Sequence, residues 1–530
     1  MQNTRRFIAL MLGLAAPALI TSGQSLAAAL KADAAAPTAQ AAGEPSRTAP
    51  APALNWRAAS YPTVNVARMQ YREMAVSRLL DLQRKNQAPG LKATQIGVGR
   101  DASQEGAQRR LPALTWWPVA GGFVAKVEIR SMDALALRVG LDVSHLDSRV
   151  ELRFGGSARP SEVVAKMSGA QAKRLPGSNG LFWTPNTDGD TQVIEIFRPK
   201  AVSAFAVRLD APALSHLIAD SRNSYKLIEK IGESGTCNID SICRVNELGP
   251  AYVDAKNAVA HMVYVRAGGG SYICTGTLLA DTLPVTQVPY FHTANHCFTS
   301  NSSVAPVASQ IQSVANTLNT VWNYETTGCG NRSPTQTTRL VGGATYLYSS
   351  HVTDGMLLRL NDPAPAFAFF AGWNAATIAN GSNVLAIHHP SGDSKKVSGG
   401  QTIGTDAANI TVGWLTGTTE GGSSGSGLFT LGSRGYVLRG GLYGGDAACS
   451  NSGSLGNSLN RDHYSRLDVD FANIKAYLEP QAEAAEGARP LIRPRPSAKP
   501  AAALSVPATS APAIKRRPGS VDRSDPQLRR

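Results

Sequence analysis

Three short segments carry residue types that could act together on a carbonyl. In Gly422-Ser423-Ser424-Gly425-Ser426-Gly427, serines are set among glycines. Such a run can make a sharp turn that exposes a hydroxyl and leaves backbone N–H groups to face a developing oxyanion. Ser424 has a glycine two residues before it and one directly after. It is therefore the preferred nucleophile over Ser423 and Ser426, with the amides of Gly422 and Ser424 as oxyanion donors. An apolar resumption at Leu428-Phe429 argues against a flexible Gly/Ser linker. In Thr293-Ala294-Asn295-His296-Cys297, a histidine closes an apolar stretch beside a cysteine, a place where an imidazole can be held as general base. Asp354, just ahead of the apolar run Met356-Leu357-Leu358, can orient that imidazole through its other nitrogen, whereas Asp362 precedes Pro363 and reads as a turn residue. The chemistry implied is covalent acyl transfer from a serine.

The elements that must position these groups are short. Residues 236–478 hold brief apolar runs, such as Ala260-His261-Met262-Val263-Tyr264-Val265 and Tyr436-Val437-Leu438, separated by Gly, Ser and Asn turns. Helical periodicity returns only at Val469 to Leu478. This pattern predicts an all-β enzyme of two barrels with a C-terminal helix. The chain order His, Asp, Ser resembles that of chymotrypsin-like proteases and differs from subtilisins and α/β-hydrolases. Upstream, Met69, Met74, Leu79, Leu80 and Leu82 predict a helix over Val64 to Asn86. Period-two alternation in Phe123 to Ile129 and in Gln192 to Phe197 predicts a small antiparallel sandwich over about 105–220.

At 530 residues the chain is long enough for two or three domains. Arg5 and Arg6, the apolar Phe7 to Ile20 and the small residues of Ser25-Leu26-Ala27 read as an export signal over 1–29. No later segment reaches about 18 uninterrupted apolar residues, so the mature protein is expected off the membrane. Ala- and Pro-rich residues 30–60 read as linker within a pro-region of 30–230, and 481–530 as a disordered basic Pro/Ala/Arg-rich tail. The net charge of +14 does not sit on the candidate domain: residues 231–480 have 13 Lys and Arg against 16 Asp and Glu. A nucleic-acid partner is therefore not expected. All six cysteines lie between Cys237 and Cys449, and an even number in an exported domain implies disulfides, with 15 pairings open.

The residues resemble the bacterial lysyl endopeptidases, secreted relatives of trypsin, over roughly 232–478. The motifs are Ser234-Gly235-Thr236-Cys237-Asn238-Ile239-Asp240, Cys274-Thr275-Gly276, Thr293 to Cys297, Ile387-His388-His389-Pro390 and Thr419-Glu420-Gly421-Gly422-Ser423-Ser424-Gly425-Ser426, with six cysteines in matching order. The resemblance implies a chymotrypsin-like double β-barrel at 231–480 behind a β-rich pro-domain, and the bridges Cys237–Cys449, Cys243–Cys329 and Cys274–Cys297. It implies cleavage after Lys, with Asp462 as the acid that receives the basic side chain, because a buried cation needs a counter-charge. Trypsin's own pocket-acid position is Thr418 here. Asp446 and Glu420 are competing acids. Tyr443 and Gly444 are expected to line the cleft, Tyr443 where the family has a histidine, with Trp414 a candidate for its stacking tryptophan. Ser423 replaces the aspartate that in trypsin meets the new N-terminus, so activation by that ion pair is not expected.

No cofactor or metal is implied, and His388-His389-Pro390 reads as a turn because no carboxylate or cysteine set surrounds it. Expected partners are protein or peptide substrates with basic side chains and the chain's own pro-region, in a monomer. Lys230-Ile231-Gly232 offers a self-processing point. Alternatives are broader cleavage after Arg and Lys, or an inactive binding protein on a protease scaffold.

Overall fold

The computed structural model describes residues 39–58, 66–87, 93–105, 109–221, 234–283, 285–299 and 303–480. The expected signal peptide, the Lys230-Ile231-Gly232 point and the C-terminal tail lie outside them. The C-terminal half is built as the short apolar runs require. Asn383–His388, Gly427–Gly432, Gly435–Gly445, Asp462–Ser465, Asn409–Thr416 and Lys396–Thr405 follow one another around a ring, since Asp462–Ser465 pairs with both Asn409–Thr416 and Gly435–Gly445. That closes a six-stranded barrel around Trp414, Leu428, Leu442 and Tyr464.

The preceding barrel is the more open one. Its order is Thr338–Leu340, Asn319–Trp322, Val259–Val265, Ser271–Leu279, Tyr290–Ala294, Gly355–Leu360 and Ala344–Ser349. It wraps Met262, Phe291, Trp322 and Leu358, which are fully or almost fully buried. A second cluster, with Trp373, Leu357, Phe429 and Ile474, joins the barrels and seats the helix Leu467–Leu478. The expected all-β fold with a terminal helix is the observed one. The disulfides are Cys237–Cys449, Cys243–Cys329 and Cys274–Cys297.

Upstream, one sheet contains Gly122–Ser131, Thr191–Pro199, Glu151–Gly156 and Ala165–Ser168, and a second contains Ala136–Asp142, Asp210–Leu217 and Gly97–Asp101. They enclose Val127, Ile129, Leu152, Phe154 and Ile194. The helix expected over Val64 to Asn86 is shorter, covering Val76–Asn86. Ala67–Tyr71 is instead a strand parallel to Gly122–Ser131. Ala67, Met69 and Tyr71 alternate inward, so this stretch satisfied period two as well as period 3.6, and an available sheet edge decided between them. Part of the stretch read as linker is also ordered as edge strands: Gln40–Ala41 pairs with Gly372–Asn374, and Glu44–Pro45 with Phe369–Phe370.

Candidate active site

Strand Tyr290–Ala294 is wholly buried and ends in a tight turn at Asn295–Cys297, which delivers His296 to the junction of the barrels. His296 Nε2 lies 2.6 Å from Ser424 Oγ, and His296 Nδ1 lies 2.6 Å from Asp354 Oδ2. The second carboxylate oxygen of Asp354 accepts the backbone N–H of His296 at 2.8 Å, so Asp354 fixes both ring and backbone. Asp354 holds φ at +66°, a left-handed conformation that Asp tolerates better than most residues. Its neighbours are pinned: Thr353 Oγ1 donates to Asp470 Oδ1 at 2.7 Å, and Gly355 N donates to Thr353 Oγ1 at 3.2 Å. Burial pushes the Asp470 carboxyl up to about 6, against the lowering effect of its bonds to Thr353 and Tyr348, with Asp354 adding to the rise.

The turn around Ser424 requires its glycines. Gly422 has φ +94° and Gly425 +78°. A Cβ on Gly425 would stand 2.2 Å from Thr293 Oγ1 and 2.5 Å from Thr275 O. Thr275 N donates to Ser424 O at 2.8 Å and Thr275 Oγ1 to Gly422 O at 3.0 Å, which ties the turn to the other barrel. Ser423 N and Gly425 N are engaged by Glu420 O and Leu442 O, whereas the amides of Gly422 and Ser424 donate to no acceptor among the described residues. Two adjacent donors held in this way suit a carbonyl oxygen that gains charge.

Asp462 is fully buried and lies opposite Gly445 and Val412 in the ladder. Its Oδ2 accepts Trp414 Nε1 at 2.7 Å and Thr419 Oγ1 at 2.6 Å, and Oδ1 faces Gly445. Thr419 stands five residues before Ser424, so this carboxylate belongs to the wall behind the Ser424 turn. The competing acids lie elsewhere. Glu420 accepts Gly235 N, Asn238 Nδ2 and Ser391 Oγ, and Asp446 is exposed. Tyr443 places its edge on the His296 ring at 5.9 Å and 88°, with Gly444 next to it in the same strand. Trp414 does not stack on Tyr443. It is buried behind Asp462, edge-on to Tyr464.

Several supports escaped the sequence reading. Arg266 donates to the carbonyls of His296 and Cys297 from across the barrel, with its guanidinium 4.2 Å over the Tyr272 ring. His388 bridges Ser423 Oγ, next to Ser424 in the chain, at 2.8 Å and Ser398 Oγ at 3.0 Å. His389 faces Asp393 O and stacks on Tyr324. A lone Arg or His in sequence carries no mark of such contacts. Cys274, Cys297 and His296 gather two sulfurs and an imidazole, but the sulfurs are bonded to each other, so no thiolate is offered to a metal.

A family model described as "Lysyl endopeptidase, C-terminal domain" matches residues 231–465, and "Lysyl endopeptidase N-terminal domain" matches 70–218. The chain is 35% identical over 405 residues to a lysyl endopeptidase of Pseudomonas aeruginosa, covering 73% of this chain and 81% of that one. This is a serine endopeptidase, and it belongs to the lysyl endopeptidase family. Among solved structures it is similar to the HtrA-type protease AlgW with tripeptide, at 16% identity and TM-score 0.29 over 43% of this chain and 62% of that one. It is also similar to an inactive form of a protein from M. tuberculosis H37Rv, at 12% identity and TM-score 0.26 over 43% and 89%.

Proposed function

We propose that the protein is a secreted endopeptidase, made as an inactive precursor, that cuts peptide bonds after Lys. The observation that carries this reading is the continuous line from Ser424 Oγ through His296 to Asp354, with 2.6 Å at each junction. Ser424 Oγ attacks the scissile carbonyl while His296 Nε2 takes its proton. Asp354 holds the Nδ1–H and stabilises the imidazolium. The amides of Gly422 and Ser424 receive the oxyanion. His296 then gives the proton to the leaving amine, and water, activated by the same imidazole, releases the acyl group from Ser424.

Asp462 selects the side chain before the cut. An ammonium is a compact charge that one carboxylate can match, while a guanidinium seeks two parallel acceptors. Here one oxygen of Asp462 already receives two donors, which favours Lys over Arg. The export signal, the three disulfides and the pro-region fit an oxidising extracellular compartment, reached as a precursor that trims itself after Lys230. The expected monomer stands as part of this reading. Digestion of a denatured protein mixture tests it: new C-termini should end in Lys. Ends divided evenly between Lys and Arg would replace the reading with broad basic specificity, and ends without either would overturn it.

A further inference from the structure

The cleft edge beside the nucleophile is already paired. Strand Ser271–Leu279 contains Cys274, bridged to Cys297 next to His296, and Thr275, which holds the Ser424 turn. The edge of that strand at Tyr272 and Ile273 pairs antiparallel with Thr94–Gln95, Thr94 opposite Ile273 and Gln95 opposite Tyr272. The ladder continues as Ile96 N donates to Ser271 O at 2.8 Å. Thr94 also reaches the nucleophile turn: a Cβ on Gly421 would stand 2.3 Å from Thr94 Oγ1, and Gly421 directly precedes Gly422.

This strand is held from behind. Asn86, at the end of helix Val76–Asn86, donates to Gln95 O at 2.8 Å and accepts Gln95 N at 2.9 Å, as a neighbouring strand would. Tyr272 OH donates to Gln95 Oε1 at 3.1 Å. Ile96 packs with Ala136, Leu217, Val263 and Ile273. Two residues on from Gly97, a Cβ on Gly99 would stand 1.9 Å from Gly268 O, so only glycine permits this approach of the two halves. With the strand in place, Ser424 is 0% and His296 1% exposed.

We propose that Thr94–Gln95 is a blocking strand built into the precursor. A peptide whose carbonyl oxygen points at the amides of Gly422 and Ser424 must continue past Gly421 and Ile273 beyond the cut bond. An extended peptide can add there as a strand. Thr94 covers both residues, so precursor and substrate compete for one edge. This proposal rests on the endopeptidase reading above and names the regulation of that site.

The test is a cross-link between facing residues, Gln95→Cys with Tyr272→Cys, which antiparallel pairing brings within disulfide reach. Oxidised, the full chain should cut a peptide extending three residues beyond Lys at least about tenfold more slowly than after mild reduction that leaves the native bridges intact. Equal rates would overturn the proposal alone. A parent chain already cut after Lys230 that still cuts no such peptide would overturn the reading beneath it. If the cysteine pair fails to fold, Asn86→Ala and Thr94→Pro in a full-length Ser424→Ala background give a second measurement. Affinity for the extended peptide should rise about tenfold while that for a peptide ending at Lys stays unchanged. No change in either affinity would refute the blocking role.

Discussion

Asp462→Asn is the most informative substitution for the specificity proposed above. Asp462 Oδ2 accepts Trp414 Nε1 at 2.7 Å and Thr419 Oγ1 at 2.6 Å, and an asparagine carbonyl in the same place keeps both bonds. The substitution therefore removes a charge while leaving the wall standing. Two unit charges about 4 Å apart attract by about 4 kcal/mol at an effective dielectric near 20. At about 1.4 kcal/mol for each factor of ten, the loss is on the order of 10³ in kcat/KM for a Lys substrate. The assay compares peptide anilides ending in Lys with those ending in a neutral chain of similar length, such as Met. Lys should lose about 10³-fold and Met less than about threefold, because Met never used the charge. A Lys loss under about tenfold, or an equal loss for both, would refute the assignment of Asp462 and return attention to other acids near the cleft.

Three further outcomes follow from the same geometry. Replacing Cys274 and Cys297 with Ser opens the loop beside His296, spanning 23 residues in sequence, and should cost about 3 kcal/mol by denaturant unfolding. Glu325, almost fully buried, accepts Lys256 Nζ at 2.8 Å and Lys395 Nζ at 3.1 Å. Glu325→Gln leaves two buried ammonium groups short of a counter-charge and should destabilise the fold by about 3–5 kcal/mol in the same assay. Asp470 has its folded pKa raised from 3.8 to about 6, so its protonated form favours the fold and that contribution is lost as pH rises from about 4 to about 6. The stability of Asp470→Asn relative to the parent should accordingly rise by on the order of 2–3 kcal/mol across that interval, and parallel profiles would contradict it.

The groups proposed to react were legible because their surroundings are local in sequence. Glycine on both sides marks Ser424, a closing apolar strand marks His296, and the turn before Met356 marks Asp354. Asp462 was reached through resemblance alone, since its partners Trp414 and Thr419 lie 48 and 43 residues away and meet it only after the barrel closes. Trp414 was misplaced for the same reason: proximity in sequence suggested Tyr443, while the ladder carried it behind Asp462. The split of residues 64–86 into strand and helix depended on a free edge of Gly122–Ser131, which no local pattern reveals. Arg266 and Asp470 touch the site through contacts 30 and 117 residues distant, so each reads in sequence as an ordinary polar residue. His388 stood out only within a motif that did not show its contact with Ser423, 35 residues on.

The proposed acyl transfer turns on which oxygen carries the acyl group. A slowly deacylating Lys ester, quenched in the first turnover and mapped by peptide mass, should place the acyl adduct on Ser424 Oγ, and Ser424→Ala should abolish both adduct and turnover. An adduct on Ser423 or Ser426, or undiminished turnover in Ser424→Ala, would contradict it.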